Sequence, residues 1–257
     1  MKSSRVAHGG KTVYGARVGI LMLDTIWPRV PGDTGNALTW PFPVLYKVVK
    51  GATGKKVVHE RGRGAGIAQS FLDAAAELVK DGADGITTTG GFLSIFQAQL
   101  SAHVNVPVAS SSLMQLSLVQ KLLPPGKRVG VITIQGEHLT AEHFIAAGAD
   151  PTTPFIGTEN GKEFTRAVFE NEPELDYELA EQDLLQAGEE LLRRHPEVGA
   201  LVLECHNFAC FSHALNQKLM IPVYDVYTFV KWFHSGLSPR NFGYPGSSTA
   251  PQYWRER

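Results

Sequence analysis

ITTTGGFLSIFQAQLSAHVNVPV, residues 86–108, aligns without a gap with LVLECHNFACFSHALNQKLMIPV, residues 201–223. Phe96 falls on Phe211 in this alignment, and each segment ends in an aliphatic residue followed by Pro-Val. Each segment opens on apolar residues and continues with apolar side chains at helical spacing, which is typical of a strand followed by a helix. The repetition of this unit predicts a chain built from two similar halves.

An earlier pair of segments strengthens the internal repeat. The runs RVGI at 17–20 and RVGV at 128–131 each open an apolar stretch typical of a buried parallel strand. Strands alternate with helices along the chain, which predicts an α/β fold. We expect two pseudo-symmetric lobes, each with a parallel sheet flanked by helices, and an active site between them. The first lobe is predicted to comprise residues 15–115 and 225–245, and the second lobe residues 116–224.

The spacing of apolar residues predicts the individual elements. Predicted strands cover residues 17–23, 84–88, 106–108, 129–134, 200–203 and 221–223, with a weaker candidate at 57–58. Predicted helices cover residues 66–80, 92–102, 176–194, 213–218 and 226–233, and two more begin near residues 112 and 137. Residues 24–43 are rich in Pro and Gly and are predicted to form a long loop. The tail, residues 243–257, is expected either to dock on a neighbouring subunit or to be loosely ordered.

The composition narrows the function classes. Among 257 residues, 24 Lys and Arg balance 25 Asp and Glu, so the net charge of −1 does not predict binding to nucleic acid or to an anionic membrane. No apolar run reaches the ~20 residues of a membrane span, and residues 1–13 contain no apolar signal segment, so we expect a cytoplasmic protein. The 2 cysteines do not suit a structural zinc site, and no metal is expected. The run GRGAG at 62–66 lacks the dinucleotide-binding spacing, so no cofactor is expected either.

The two aligned segments carry polar or small residues where strand gives way to helix. They are Thr88, Thr89, Gly90, Gly91 and Phe92 in the first half, and Cys205, His206 and Asn207 in the second. Ligands of α/β sheets bind at the carboxyl ends of the strands, and helix starts favour anions, so these residues are predicted to bind a small carboxylate. Cys205 is predicted to be catalytic, because a thiol at a helix N-terminus has a lowered pKa and can exchange a proton with the carbon next to the carboxylate. Gly90 aligns with Cys205, so the opposite turn has no thiol.

The ends of the first strands of the two halves supply weaker candidates. Asp24 ends the run that begins at residue 17, and Gln135 ends its counterpart. Both are predicted to lie near the same cleft and to contact substrate. The following segment, residues 31–36, is either a lid or substrate-positioning loop, or a plain series of turns. His206 is either an acid–base group, a hydrogen-bond donor to a carboxylate, or a packing residue.

The sequences around the two turns, GITTTGGFL at 85–93 and LECHN at 203–207, resemble those of the aspartate/glutamate/hydantoin racemase superfamily. The resemblance implies two pseudo-symmetric α/β lobes and cofactor-independent proton transfer by two cysteines, one on each side of the substrate. Carried over to this chain, the second thiol is Cys205. The first thiol would stand at Gly90, which has no side chain, as in the arylmalonate decarboxylase branch. The family also usually has threonine where this chain has His206.

Three interpretations of function follow. A single thiol favours decarboxylase or lyase chemistry, in which Cys205 transfers a proton at the carbon α to the carboxylate of a small acid. The first alternative is an amino-acid racemase or cis–trans isomerase that uses a second, non-cysteine base such as His206. The second alternative is a non-catalytic protein that binds small carboxylates. The expected partner in every case is a small carboxylate, and a homo-oligomer is possible.

Overall fold

The computed structural model describes residue 7, residues 9–59 and residues 66–242. It contains two four-stranded sheets in which all pairings are parallel. The first sheet has the strand order β2-β1-β3-β4 and the second has the order β6-β5-β7-β8. The predicted α/β fold with two similar lobes is therefore confirmed.

The strands carry the apolar runs that the sequence analysis used. In the first sheet they are β1 (Val18–Leu23), β2 (Val44–Val49), β3 (Gly85–Thr88) and β4 (Val108–Ala109). In the second sheet they are β5 (Arg128–Thr133), β6 (Phe155–Gly157), β7 (Val198–Leu203) and β8 (Val223–Tyr224). The central strands are almost fully buried, as expected for sheets covered by helices on both faces.

The pairing register supports the internal alignment residue by residue. Gly19 lies opposite Ile86 in the first sheet, and Gly130 lies opposite Leu201 in the second. These are the positions that the two pairs of repeated segments match. The two lobes therefore repeat one arrangement of strands, and the turns after β3 and β7 occupy equivalent places.

Helices cover both sheets and connect their strands. They are α1 (Gly54–Val58), α2 (Ile67–Asp81), α3 (Gln97–His103), α4 (Leu116–Leu122), α5 (Ala141–Ala146), α6 (Phe164–Glu170), α7 (Tyr177–Arg194), α8 (Ser212–Leu219) and α9 (Val226–Leu237). The last helix, α9, begins at a capping box formed by Asp225 and Thr228. It contributes Val226 and Val230 to an apolar cluster with Val18 and other residues of the first lobe, so the chain returns to its first sheet after β8.

Several element predictions were wrong or shifted. Residues 57–58 lie in a helix, α1, and not in a strand. The helices predicted from 92, 112 and 137 begin with short 3-10 turns, and β4 and β8 start later than predicted. Strands β2 and β6 and helix α6 were not predicted. The run at 62–66, apart from Gly66, and the tail at 243–257 lie outside the described residues.

Two further features of the described residues concern membrane spans and metal sites. No helix in the described ranges combines the length and the apolar character needed to cross a membrane. No cluster of His, Cys, Asp and Glu side chains in those ranges is arranged to hold a metal ion.

Candidate active site

A small cavity of about 30 Å³ lies between the lobes, where the turns after β3 and β7 meet. Both Gly90 and Cys205 line it, so the structure brings the two aligned positions together. Residues of both lobes complete its wall: Leu23, Gly54, Val57, Val58, Thr89, Gly91, Phe92, Ile134, Val168, Phe169, Glu204 and Asn207. The wall is mainly apolar, with a few polar groups at the two turns, which is the usual composition of a small-molecule site.

The first turn brings its backbone close to the second lobe. Gly90 has an extended backbone, and a Cβ added there would lie 3.7 Å from its nearest neighbours, which is ordinary contact. A Cβ added at Gly91 would overlap the carbonyl oxygen and Oε1 of Glu204. Gly91 is therefore required by the close approach of the two lobes, whereas Gly90 could accept a Cβ without overlap.

Two threonines of the first turn hold the backbone in place. The Thr88 hydroxyl donates to the carbonyl oxygen of Ser110 at 2.7 Å, and Thr88 does not line the cavity. Thr89 lines the cavity, and its hydroxyl accepts a hydrogen bond from the backbone N–H of Leu23 at 2.9 Å. The structure thus favours the predicted substrate contact for Thr89, whereas Thr88 stabilises the backbone of the turn without reaching the cavity.

The Cys205 thiol is buried, and its environment differs from the predicted one. The residues after it form a turn, in which the Phe208 N–H donates to the Cys205 carbonyl at 3.0 Å, and helix α8 begins only at Ser212. Cys205 therefore has no helix N-terminus beside it. Burial raises the pKa of the thiol well above its ordinary value, and the neighbouring Glu204 carboxylate raises it further. The prediction of a lowered pKa was wrong, and the resting thiol carries its proton.

Glu204 is a site residue that the sequence analysis missed. Its side chain is fully buried and lines the cavity beside Cys205. Oε2 accepts a hydrogen bond from the Thr133 hydroxyl at 2.7 Å, whereas Oε1 is buried without a hydrogen-bond partner. Burial raises the pKa of this carboxyl to about 7, despite the opposing effects of the Thr133 hydrogen bond and of the nearby backbone N–H groups of Ile134 and Phe92.

His206 is held by the first lobe and is not available as an acid–base group. Its Nδ1–H donates to the carbonyl oxygen of Thr88 at 2.7 Å, and its Nε2 accepts from the N–H of Ser112 at 3.0 Å. Burial lowers its pKa to about 4, so the ring is neutral at physiological pH. The predicted roles as second base or substrate ligand are not supported, because both ring nitrogens are used in joining the lobes.

Asn207 connects the thiol to a buried ion pair in the long loop. The Cys205 thiol lies 3.5 Å from Asn207 Oδ1, and Asn207 Nδ2 donates to Asp33 Oδ2 at 2.8 Å. The other oxygen of Asp33 pairs with Arg29 at 2.9 Å. Thr34 adds a hydrogen bond at 2.8 Å from its hydroxyl to the His206 carbonyl. The loop at 31–36 therefore packs on the second turn and orients Asn207. This supporting role differs from both interpretations made from the sequence, the lid or substrate-positioning loop and the plain series of turns.

Asp24 and Gln135 lie outside the cavity. Asp24 is exposed, and its carboxylate accepts the N–H of Gly51 at 2.8 Å, so it holds the turn after β2. Gln135 Oε1 contacts His59 Nε2 at 2.7 Å. Neither residue lines the cavity, although their neighbours Leu23 and Ile134 do, and the structure does not favour substrate contact for them.

The raised pKa of Glu204 predicts a pH-dependent stability difference between the protein and Glu204→Gln. The folded state holds the Glu204 proton up to about pH 7, whereas the ordinary pKa of a glutamate, 4.5, applies in the unfolded chain. The stability from the protonated carboxyl is therefore fully present below pH 4.5 and is lost as the pH rises through 7. Relative to the wild type, Glu204→Gln should gain roughly 3 kcal/mol of unfolding free energy between pH 4.5 and 8.

Urea unfolding of both proteins across this pH range measures the difference. The titration of His206 occurs in both proteins and cancels when they are subtracted. A difference that stays constant with pH would show that Glu204 ionises as it does in the unfolded chain.

The two-lobed fold and the interlobe cavity define the structural class. Unliganded arylmalonate decarboxylase has a similar structure, with a TM-score of 0.54 and 15% identity, covering 90% of this chain and 96% of that chain. Glutamate racemase from Bacillus anthracis is similar with a TM-score of 0.53 and 15% identity, covering 89% of this chain and 85% of that chain. The chain thus has the fold of the aspartate/glutamate racemase superfamily, which confirms the fold implied by the resemblance of the two turns.

Sequence comparison adds relatives with a named activity. The chain is 27% identical over 229 residues to a dimethylsulfoniopropionate lyase from Durusdinium sp. clade D, covering 86% of this chain and 75% of that protein. It is 28% identical over 221 residues to dimethylsulfoniopropionate lyase 3 from Emiliania huxleyi, covering 82% of this chain but only 57% of that protein. No protein-family profile matches the chain. These relatives, together with the decarboxylase and racemase structures, agree with the prediction of an enzyme of this superfamily.

Proposed function

We propose that the chain is a cofactor-independent lyase that acts at the carbon α to the carboxylate of a small acid, with Cys205 as the single thiol beside that carboxylate. The observation that carries the proposal is the juxtaposition of Cys205 and Gly90 on one interlobe cavity. A thiol on one side and bare backbone on the other suit a reaction in which a group leaves, rather than symmetric proton exchange by two thiols. The lyase names of the relatives support this choice.

The relatives make dimethylsulfoniopropionate the first candidate substrate. In an elimination, the α-proton leaves and its C–H electron pair becomes the new C=C bond. The C–S bond breaks, and its electron pair departs with dimethyl sulfide, so that acrylate remains. Negative charge develops on the substrate carboxylate as the α-proton leaves, and a protonated thiol beside it stabilises that charge by hydrogen bonding.

The cavity wall suits such a substrate in part. Phe92 and Phe169 present aromatic rings to the cavity, and a sulfonium or ammonium cation is attracted to an aromatic face. The present volume of about 30 Å³ holds little more than one water molecule. Binding therefore requires the walls to separate, and α1 and α6 contribute Gly54, Val57 and Val168 to those walls.

Incubation of the purified protein with dimethylsulfoniopropionate tests the proposal. We expect release of dimethyl sulfide and acrylate in equal amounts, without added metal or cofactor. A parallel screen of malonates, amino acids, hydroxy acids and unsaturated diacids in D2O covers the other superfamily reactions.

The outcomes separate the three interpretations. Deuterium uptake at the α-carbon without bond cleavage would instead identify an isomerase or racemase. Tight binding of a small carboxylate with no turnover of any screened acid would identify a binding protein. In the isomerase case, a Gly90→Cys variant should gain activity, because a Cβ at Gly90 meets its neighbours only at ordinary contact distances.

A further inference from the structure

An elimination needs a group that accepts the α-proton, and the resting thiol cannot be that group because it is already protonated. We infer that Glu204 is the proton acceptor of this site, and that its carboxylate takes the α-proton while Cys205 keeps its own. This inference rests on the proposed function and names the second acid–base group that the sequence analysis did not find.

The first line of evidence is the composition of the cavity wall. Among the described residues that line it, Glu204 and Cys205 are the two with titratable side chains. His206 has both nitrogens engaged, and Asp33 has its oxygens bound to Asn207, Arg29 and the N–H of Gly35. Of Glu204, His206 and Asp33, only Glu204 both lines the cavity and has a side-chain oxygen without a hydrogen-bond partner.

The second line of evidence is the place that the Glu204 carboxyl occupies. Oε1 lies so close to Gly91 that a Cβ there would overlap it. The carboxyl therefore reaches from the second lobe to the turn of the first lobe, beside Gly90, where the superfamily resemblance puts a thiol. The Glu204 carboxyl therefore lies near Gly90, the position of the first cysteine in the superfamily resemblance.

The electrostatic surroundings suit a base. The Thr133 hydroxyl donates to Oε2, and the backbone N–H groups of Ile134 and Phe92 favour the carboxylate of Glu204 from nearby, without a hydrogen bond to Oε1. The titratable neighbours are the Cys205 thiol and His206, and His143 of α5 lies behind the Phe92 ring at 5.0 Å. A carboxyl that titrates near neutral pH is partly ionised there and is still basic enough to accept a proton from carbon.

The proton and electron balance is complete. The Glu204 carboxylate forms an O–H bond with the α-hydrogen, the C–H pair becomes the C=C bond, and the leaving group departs with the C–S pair. The protonated Glu204 then releases its proton to water. Cys205 remains a thiol throughout and hydrogen-bonds to the substrate carboxylate.

The test is the pH dependence of kcat/KM for dimethylsulfoniopropionate in four proteins. The wild type should show activity that rises through about pH 7 and then levels off. Glu204→Gln should lose about 1,000-fold in kcat/KM and lose the rise, since an amide accepts no proton. Glu204→Asp should keep part of the wild-type activity, and its kcat/KM should still rise with pH. Thr133→Val should move the rise of kcat/KM to higher pH, because it removes a hydrogen bond that favours the carboxylate.

Glu163→Gln is the matched control. Glu163 is a buried glutamate of the second lobe that bonds Arg166 and the N–H of Asp176, away from the cavity. We expect this variant to keep the activity and the pH profile of the wild type.

The results separate the inference from the proposed function. A Glu204→Gln variant that keeps the wild-type rate and pH profile, while the wild type turns over the substrate, would overturn the inference and leave the lyase intact. A wild type that turns over none of the screened acids would overturn the proposed function itself. Thermal unfolding of each variant verifies that a lost activity is not a lost fold.

Discussion

Replacing Cys205 with alanine is expected to lower kcat/KM by about 100- to 1,000-fold, the range for loss of one hydrogen-bond donor to a developing negative charge. The variant removes the thiol from the interlobe cavity and leaves Glu204 and Asn207 in place. With no thiol beside the substrate carboxylate, the charge that develops there is left without a hydrogen-bond donor in a mainly apolar cavity. The fold should persist, because the side chain is small and borders an existing cavity. Steady-state rates with the substrate found in the screen measure the effect.

Cys210→Ser is the control for this experiment. Cys210 is the other cysteine of the chain, and it lies in the 3-10 turn Ala209–Phe211 outside the cavity wall. Serine keeps its Cβ, which packs against Gly32 of the long loop. We expect activity within a few-fold of the wild type. Full activity in the Cys205→Ala protein would rule out the thiol as part of the mechanism.

Gly91→Ala is expected to destabilise the protein by about 3 kcal/mol or more, the upper part of the range for overpacking. The added methyl group would overlap the backbone carbonyl and the carboxyl of Glu204 in the opposite lobe. Backbone atoms cannot rotate away as a flexible side chain can, so the two turns would have to separate. Urea unfolding measures the loss, and the geometry of the cavity would change with it.

Gly90→Ala provides the comparison one residue earlier. Its Cβ would meet Leu23 and Leu93 at ordinary contact distances, and the backbone there is extended. We expect a change within about 0.5 kcal/mol. Equal destabilisation by the two substitutions would contradict the close approach of Gly91 to Glu204.

The sheet architecture was predictable because its signal is local. The runs in β1 and β7 are continuously apolar, and β5 is apolar between Arg128 and Thr133, as expected for strands buried on both faces. β2 was missed because its sequence, VLYKVV, includes a lysine and its residues are only partly buried at the sheet edge. β6 has only three residues, which is too short for a periodic pattern.

The candidate site was predictable only in outline. The internal repeat placed Gly90 opposite Cys205, because aligned positions in two similar lobes meet at equivalent turns. The thiol pKa was predicted from the next few residues and was wrong, since burial outweighs the local backbone. His206 shows the same limit, because its partners Thr88 and Ser112 lie in the other half of the chain.

Apolar periodicity and the repeated turns thus suffice to specify two α/β lobes and to bring Cys205 to their junction, because strand burial and strand order depend on patterns within short segments. The protonation of the thiol, the engagement of His206 and the reach of Glu204 to Gly91 follow from tertiary packing alone. Desolvation and hydrogen bonding depend on which groups from distant segments surround a side chain, and that information appears only when the lobes close on each other.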